Sequence, residues 1–437
     1  MKNRIVMLVS LAFAGSVFAA EPPRMEPAGG WQVKATCGEV SAVLAVDPPD
    51  IVTVTDEKYD TLALFKGPCW RCGTPLLGTK AEACSVADAL ENASLVVREA
   101  PGAAAKTYAL GKDYQLEPRW GGFGRVESGS IPADKPVYAS YRYAMMRLDS
   151  VVLTAEKKLA VRKGVPHVAT PRPPELEAGE TRVGNVWLPG RAEKLTPALL
   201  FPILESAYPE PPRSGPAVAA RPLPKTLAKL QSGAPVRVLA WGDSVTECLY
   251  LPFEKKWQEQ FAARLRERFP KASIVMLSEG WGGRSTTAYR NEPPGSPRNY
   301  AEKVLALKPD LIVSEFINDA SLNEAAVLEN YGAFLKDFKK IGAEWAILTP
   351  HYARPDWMGL KQETGIDQDP RPYVQGLRLF AANNPVALAD ASLRWGRLWR
   401  QGLPYSTLLM NNINHPDERG MKLFADALMA LFGESEK

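Results

Sequence analysis

The sequence predicts a chain of two unlike parts, an N-terminal β-sandwich-like half and a C-terminal α/β half on a parallel sheet. Three observations carry this. From residue 235 onward, strand-length apolar runs alternate with stretches of helical period, the pattern of a parallel sheet covered by helices on both faces. Before about residue 200, short runs rich in β-branched and aromatic residues are separated by Gly, Pro and Asp clusters. Between the two, residues 205–226 are Pro-rich and poor in large apolar side chains, the composition of a linker or an extended strap. At 437 residues the chain is long enough for more than one domain. The expected division is a leader at 1–19, a β-rich domain at 20–204, a linker at 205–230 and an α/β domain at 231–437.

The leader comes first. Lys2 and Arg4 precede an apolar run from Ile5 to Phe18, and Val17-Phe18-Ala19 offers the small residues a signal peptidase reads, so a cut after Ala19 is expected. The run falls short of the ~20 residues a membrane span needs. An exported, periplasmic or secreted protein without stable membrane insertion is therefore expected. The net charge is +4, to which Lys2 and Arg4 contribute two. That is too little to argue for nucleic acid or an anionic membrane as partner.

In the β-rich half the runs Ala42–Val46, Ile51–Val54, Leu95–Val97, Val137–Tyr143 and Val151–Thr154 predict a sandwich or jelly roll. Trp120–Gly124 is glycine-rich but lacks a Walker lysine and a following helix, so no phosphate loop is expected. His167, in a Pro-flanked loop, reads as a surface residue. Of the five cysteines, Cys37, Cys69, Cys72 and Cys84 allow three disulfide pairings, and Cys248 reads as a buried thiol. Cys69 and Cys72 have the spacing of a redox or zinc half-motif. With no second pair at ligand spacing and no strand–helix context, a structural bridge is expected and neither metal nor cofactor is called for.

The α/β half opens with the apolar run Val236–Trp241, which stops at Gly242-Asp243-Ser244, a buried strand delivering a serine at its carboxyl end. In open α/β sheets ligands bind at that edge. Trp257, Phe261, Leu265 and Phe269 recur every four residues as a helix stripe. There follow a strand (273–278), a helix (299–307), a strand (310–316), a helix (323–341), a strand (345–349), a helix (373–383), a strand (386–389) and a helix (417–431). Right-handed crossovers then give a five-stranded, flavodoxin-like, three-layer α/β/α order.

Each strand ends in a polar cluster: Gly242-Asp243-Ser244, then Gly280 to Thr286, then Asn318-Asp319, then His351. Asn412 to Pro416 precedes the last helix. Acyl transfer needs a nucleophile, a base within hydrogen-bond reach and donors aimed at the developing oxyanion. Only three histidines are present. Ser244 can attack, His415 can take its proton, and the Ser244 and Gly283 N–H groups with the Asn318 amide can hold the oxyanion. Trp281, Arg284, His351, Tyr352 and Trp357 lie in the same loops and are candidate substrate contacts.

These pieces resemble the blocks of the SGNH (GDSL-type) hydrolase superfamily over roughly residues 235–432. Its first block supplies a serine in Gly-Asp-Ser, matched by Gly242-Asp243-Ser244. Its second supplies a glycine N–H, matched by Gly283. Its third supplies an asparagine, matched at Asn318-Asp319, and its fifth a His-Pro pair, matched at His415-Pro416. The resemblance implies a serine esterase. There are two departures. Phe316 stands where the third block has glycine, and Asn412 stands where the fifth has the triad aspartate. An amide can accept a hydrogen bond from the imidazole but brings no charge. The options are a Ser244–His415 dyad oriented by Asn412 or a backbone carbonyl, a substitute carboxylate such as Asp390 or Asp417, or a slow site. For substrate, the resemblance allows carbohydrate O-acetyl esters, lipids and thioesters. Export, the added β-domain and the loop aromatics favour O-acetyl groups on a carbohydrate. A lipase or lysophospholipase, and a non-catalytic glycan-binding protein on a degenerate scaffold, are the alternatives. The sequence leaves the oligomeric state open.

Overall fold

The computed structural model describes residues 21–211 and 216–433. The expected leader and its cut after Ala19 lie outside the described residues.

The C-terminal half is a sheet of five parallel strands: β1 (Val236–Gly242), β2 (Ile274–Gly280), β3 (Leu311–Glu315), β4 (Glu344–Leu348) and β5 (Ala387–Ala389). Their order is β2-β1-β3-β4-β5, the flavodoxin-like arrangement. Gly242 pairs with Gly280 on one side and Glu315 on the other, so three strands end level and their loops leave from one edge. The helices are α1 (Pro224–Ser232), α2 (Ser244–Glu247), α3 (Trp257–Arg268), α4 (Thr286–Asn291), α5 (Glu324–Ile341), α6 (Pro372–Asn383), α7 (Ala391–Gly396) and α8 (Glu418–Phe432).

The layers follow from strand periodicity. In β1, Val236, Val238 and Ala240 face one core with Phe261 of α3 and Phe424 and Leu428 of α8. Leu239 and Trp241 face the other, with Phe334 of α5 and Leu377 of α6. A strand buried on both faces reads as an unbroken apolar run, as this one does from Val238 to Trp241, after the exposed Arg237. Trp241 is the hub of the second core, with ring centroids 4.8 Å from Phe316, 5.1 Å from Phe334 and 5.6 Å from Tyr289. Phe316, the departure from glycine, is thus a core residue.

Some elements differ from expectation. The helix expected over 299–307 is a π-helical turn at Ala301–Leu305. Helices α4 and α7 have six residues each, too short to print a period in the sequence. Helix α1 occupies the end of the expected linker, with Pro224 in its first turn, where the missing N–H costs nothing.

The N-terminal half consists of antiparallel strands around two cores. In one, the three-stranded meander Arg24–Gly29, Gln32–Cys37 and Val40–Ala45 packs on a four-stranded sheet whose central strands are Arg147–Leu153 and Thr181–Leu188. In the other, a four-stranded sheet containing Ile51–Tyr59 and Val137–Ala144 packs on a three-stranded sheet containing Gly122–Arg125. Val137, Ala139 and Tyr141 reach that core at period two, as half-buried strands require.

The two halves dock along a mixed interface. Trp187 and Phe201 pack with Trp399 and Leu403. Ile413 enters a small cluster with Cys84, Ala87 and Trp120. The Asn185 amide donates to the Gly402 carbonyl at 2.6 Å, and the Leu204 N–H to the Arg400 carbonyl at 2.7 Å. Gly402 has a left-handed backbone (φ 76°), and a Cβ there would lie 2.9 Å from Ile203. Ion pairs Arg119–Asp356 (2.7 Å) and Arg172–Glu418 (2.9 Å) sit at the rim.

Because Trp241 is fully buried among five other aromatic rings, Trp241→Ala is expected to cost about 3–5 kcal/mol of stability. Urea unfolding followed by far-UV circular dichroism checks this. A loss under ~1 kcal/mol would contradict the packing described.

Candidate active site

The site starts from the end of β1. Gly242 is obligatory for close packing: a Cβ there would lie 2.1 Å from the Thr246 hydroxyl and 2.4 Å from the Glu315 carbonyl. Asp243 caps α2 by accepting from the Val245 N–H at 3.1 Å. Its other oxygen accepts from the Asn318 backbone N–H (2.9 Å) and side-chain amide (2.8 Å). One buried carboxylate thus ties the loop after β3 to the turn that carries Ser244. Burial raises the Asp243 carboxyl to about 6, and these N–H groups work against that rise. Asp319 does the same for the loop after β2, accepting from the Thr286 N–H at 3.0 Å and hydroxyl at 2.7 Å.

His415 sits on a loop wound around one amide. The Asn411 side-chain oxygen accepts from the N–H groups of Ile413 (2.9 Å), Asn414 (2.8 Å) and His415 (3.0 Å). Behind the loop, His351 Nε2 lies 2.7 Å from the Asn414 carbonyl. A carbonyl only accepts, so that nitrogen is assigned the proton. Burial holds the His351 pKa well below its ordinary value, leaving the ring neutral. The His415 ring stacks on Tyr250, centroids 4.4 Å apart and planes 5° apart.

These supports leave His415 with two partners. Its Nε2 is 3.1 Å from Ser244 Oγ, and its Nδ1 is 2.8 Å from Glu82 Oε2. Glu82 comes from the other half of the chain, 333 residues away. It occupies the turn of a small hairpin, Lys80–Ala81 paired with Cys84–Ser85, in a left-handed backbone (φ 50°). Burial acts to raise its carboxyl, but the His415 hydrogen bond and charge, the Ala83 N–H and Arg71 together outweigh it. The group sits below the ordinary carboxylate value.

Asn412 is therefore not the partner of the imidazole. Its left-handed backbone (φ 57°) turns the loop, and Glu82 holds Nδ1. The other sequence candidates are engaged elsewhere. Asp390 pairs with Arg378, and Asp417 caps α8 and pairs with Arg419.

Ser244, Gly283, Asn318, His415 and Glu82 line one cavity of about 400 Å³. Gly283 has φ 73° and open space beside its Cα. Of the expected substrate contacts, Trp357 lines this cavity, packed edge-on against Trp70 at 5.9 Å. His351 and Tyr352 do not reach it. Both are fully buried, and the Tyr352 hydroxyl donates to the Ile366 carbonyl at 2.9 Å. Trp281 is half-buried and packs edge-on against Tyr289, with the exposed Arg284 guanidinium over its face at 4.5 Å. Neither lines the cavity itself. Cys69 and Cys72 form a disulfide, while Cys37, Cys84 and Cys248 are free.

Comparison with known proteins now bears on this geometry. Residues 240–423 match the model of the GDSL-like lipase/acylhydrolase family. The matched segment contains Ser244, Gly283, Asn318 and His415, while Glu82 lies outside it. No curated protein matches the chain. Similar solved structures include an acetyl xylan esterase from Geobacillus stearothermophilus, at 18% identity over 46% of this chain and 97% of that one (TM-score 0.37). A two-domain esterase active on acetylated mannans is similar at 15% identity over 50% of this chain and 55% of that one (TM-score 0.38). A lipolytic G-D-S-L family protein from Veillonella parvula is similar at 18% identity over 46% and 98% (TM-score 0.33).

Two outcomes follow. Asn411→Ala strips three loop N–H groups of their shared acceptor, and a fall of about 10²-fold or more in turnover of a small ester is expected with little change in circular dichroism. Unchanged turnover would show that the loop does not need that amide. Burial pushes the Cys84 and Cys248 thiols up to about 11. Ellman's reagent at pH 8 should therefore find at most Cys37 in the native protein, and two more thiols once urea unfolds it.

Proposed function

We propose that this protein is an exported serine esterase that removes O-acetyl groups from a carbohydrate. The observation that carries the reading is the continuous chain Ser244 Oγ–His415–Glu82, at 3.1 and 2.8 Å, opening into a cavity. His415 Nε2 takes the Ser244 proton as Oγ attacks the ester carbonyl. The Ser244 and Gly283 N–H groups and the Asn318 amide receive the oxyanion. Glu82 accepts the Nδ1–H, holds the ring in the tautomer that leaves Nε2 free, and stabilises the imidazolium that forms. His415 then protonates the leaving alcohol. Water, activated by the same nitrogen, clears the acyl-enzyme.

Cavity size suits a short acyl group, and the rings of Trp70 and Trp357 at its wall suit a sugar face. Glu82 supplies the charge that Asn412 lacks, which removes the ground for a degenerate, non-catalytic scaffold. One observation favours lipid esters instead: Leu249, also in the wall, is 81% exposed.

A series of p-nitrophenyl esters from acetate to laurate separates these readings. Fastest turnover of acetate is expected, with a loss of at least about 10³-fold in Ser244→Ala. Turnover that rises with chain length would favour the lipid reading. No turnover of any ester by the wild type would overturn the esterase.

A further inference from the structure

The cavity carries a cation, Arg71, that the esterase mechanism uses only through its influence on Glu82. Two carboxylates line it, and both are engaged. Glu82 holds His415, and Glu247 pairs with Arg298 at 3.3 Å and accepts from the Gly282 N–H at 2.8 Å. The third charged side chain in the wall is Arg71. It is exposed and forms no ion pair within 4.0 Å among the described residues, though it acts on the Glu82 charge and hydrogen-bonds the Cys84 thiol. Its guanidinium lies 4.0 Å over the Trp70 ring, which fixes the plane of the fork, and the fork carries donors beyond the one turned to Cys84.

The segment that presents it is built for rigidity. The Cys69–Cys72 disulfide closes a four-residue loop around Trp70 and Arg71, and the Cys72 N–H returns to the Cys69 carbonyl at 3.0 Å. The Cys72 carbonyl packs so tightly on Gly122 that a Cβ there would lie 2.2 Å away. Trp70 in turn leans edge-on against Trp357 across the domain boundary. A second exposed guanidinium repeats the arrangement. Arg284 follows Gly283 directly, lies 4.5 Å over Trp281 and is likewise without an ion pair among the described residues.

We propose that the esterase acts on an acidic saccharide, with Arg71 gripping a carboxylate or sulfate carried by the acylated sugar or its neighbour. The inference rests on the esterase reading above and adds the class of substrate. A planar fork held over an aromatic ring binds such a group bidentately, while the Trp70 and Trp357 rings take the sugar. The bridged loop of the β-domain is then the specificity element, and the hydrolase domain supplies the nucleophile.

Acetate release from three acetylated probes tests this: an oligogalacturonide, a dextran sulfate and a neutral cello-oligosaccharide. For the wild type, kcat/KM on at least one acidic probe is expected to exceed that on the neutral probe by tenfold or more. Which acidic probe is preferred identifies the group. In Arg71→Ala that ratio should fall towards one, chiefly through KM, with Arg71→Lys in between. Added salt should also shrink the wild-type ratio. A wild-type ratio near one, with all three probes cleaved, overturns the acidic-substrate proposal and leaves the esterase standing. A high ratio that survives Arg71→Ala overturns the role of Arg71. Failure to cleave any probe, together with p-nitrophenyl acetate, overturns both.

Discussion

A single contact between the two halves of the chain, the 2.8 Å hydrogen bond from His415 Nδ1 to Glu82, completes the line from Ser244 through the imidazole to a carboxylate. Everything that holds the β-rich half on the α/β half serves that distance. Trp187 and Phe201 pack on Trp399 and Leu403, Ile413 is seated among Cys84, Ala87 and Trp120, and Asn185 reaches the Gly402 carbonyl. The Glu82 hairpin and the His415 loop are in effect one packed unit, since Cys84 and Ile413 share a cluster. A carboxylate is half-buried here, and the imidazole it faces, with the Ala83 N–H and Arg71, keeps it below the ordinary carboxylate value despite that burial.

The α/β half was legible because its signals are local. Strand β1 is apolar on both faces and breaks at a glycine that has no room for a Cβ. The long helices print their period, and the short ones, α4 and α7, do not. The polar clusters converge because β1, β2 and β3 end level, which strand alternation with helices already implies. Ser244, His415, Gly283 and Asn318 meet in one cavity for that reason.

Glu82 was not legible, and the reason is physical. It sits in a two-residue turn of a minor hairpin, where a glutamate is an ordinary solvated residue, and its meaning comes from a partner 333 residues away. The one available signal was negative: an uncharged Asn412 left the imidazole in want of a carboxylate from somewhere. Burial misled in the opposite direction for His351 and Tyr352. Their loop places them at the functional edge, but both side chains turn inward. His351 braces the Asn414 carbonyl and Tyr352 reaches the Ile366 carbonyl.

The β-domain is then no appendage, because it supplies the carboxylate that His415 Nδ1 meets and a wall to the cavity. The most direct test is turnover of p-nitrophenyl acetate by Glu82→Gln across pH, with thermal unfolding confirming the fold. The account predicts a kcat reduced by about 10³–10⁴-fold with KM little changed, as for loss of the acid in serine relays. Turnover within a few-fold of wild type would show that the hydrogen bond to Glu82 is incidental and that Ser244 and His415 work as a dyad.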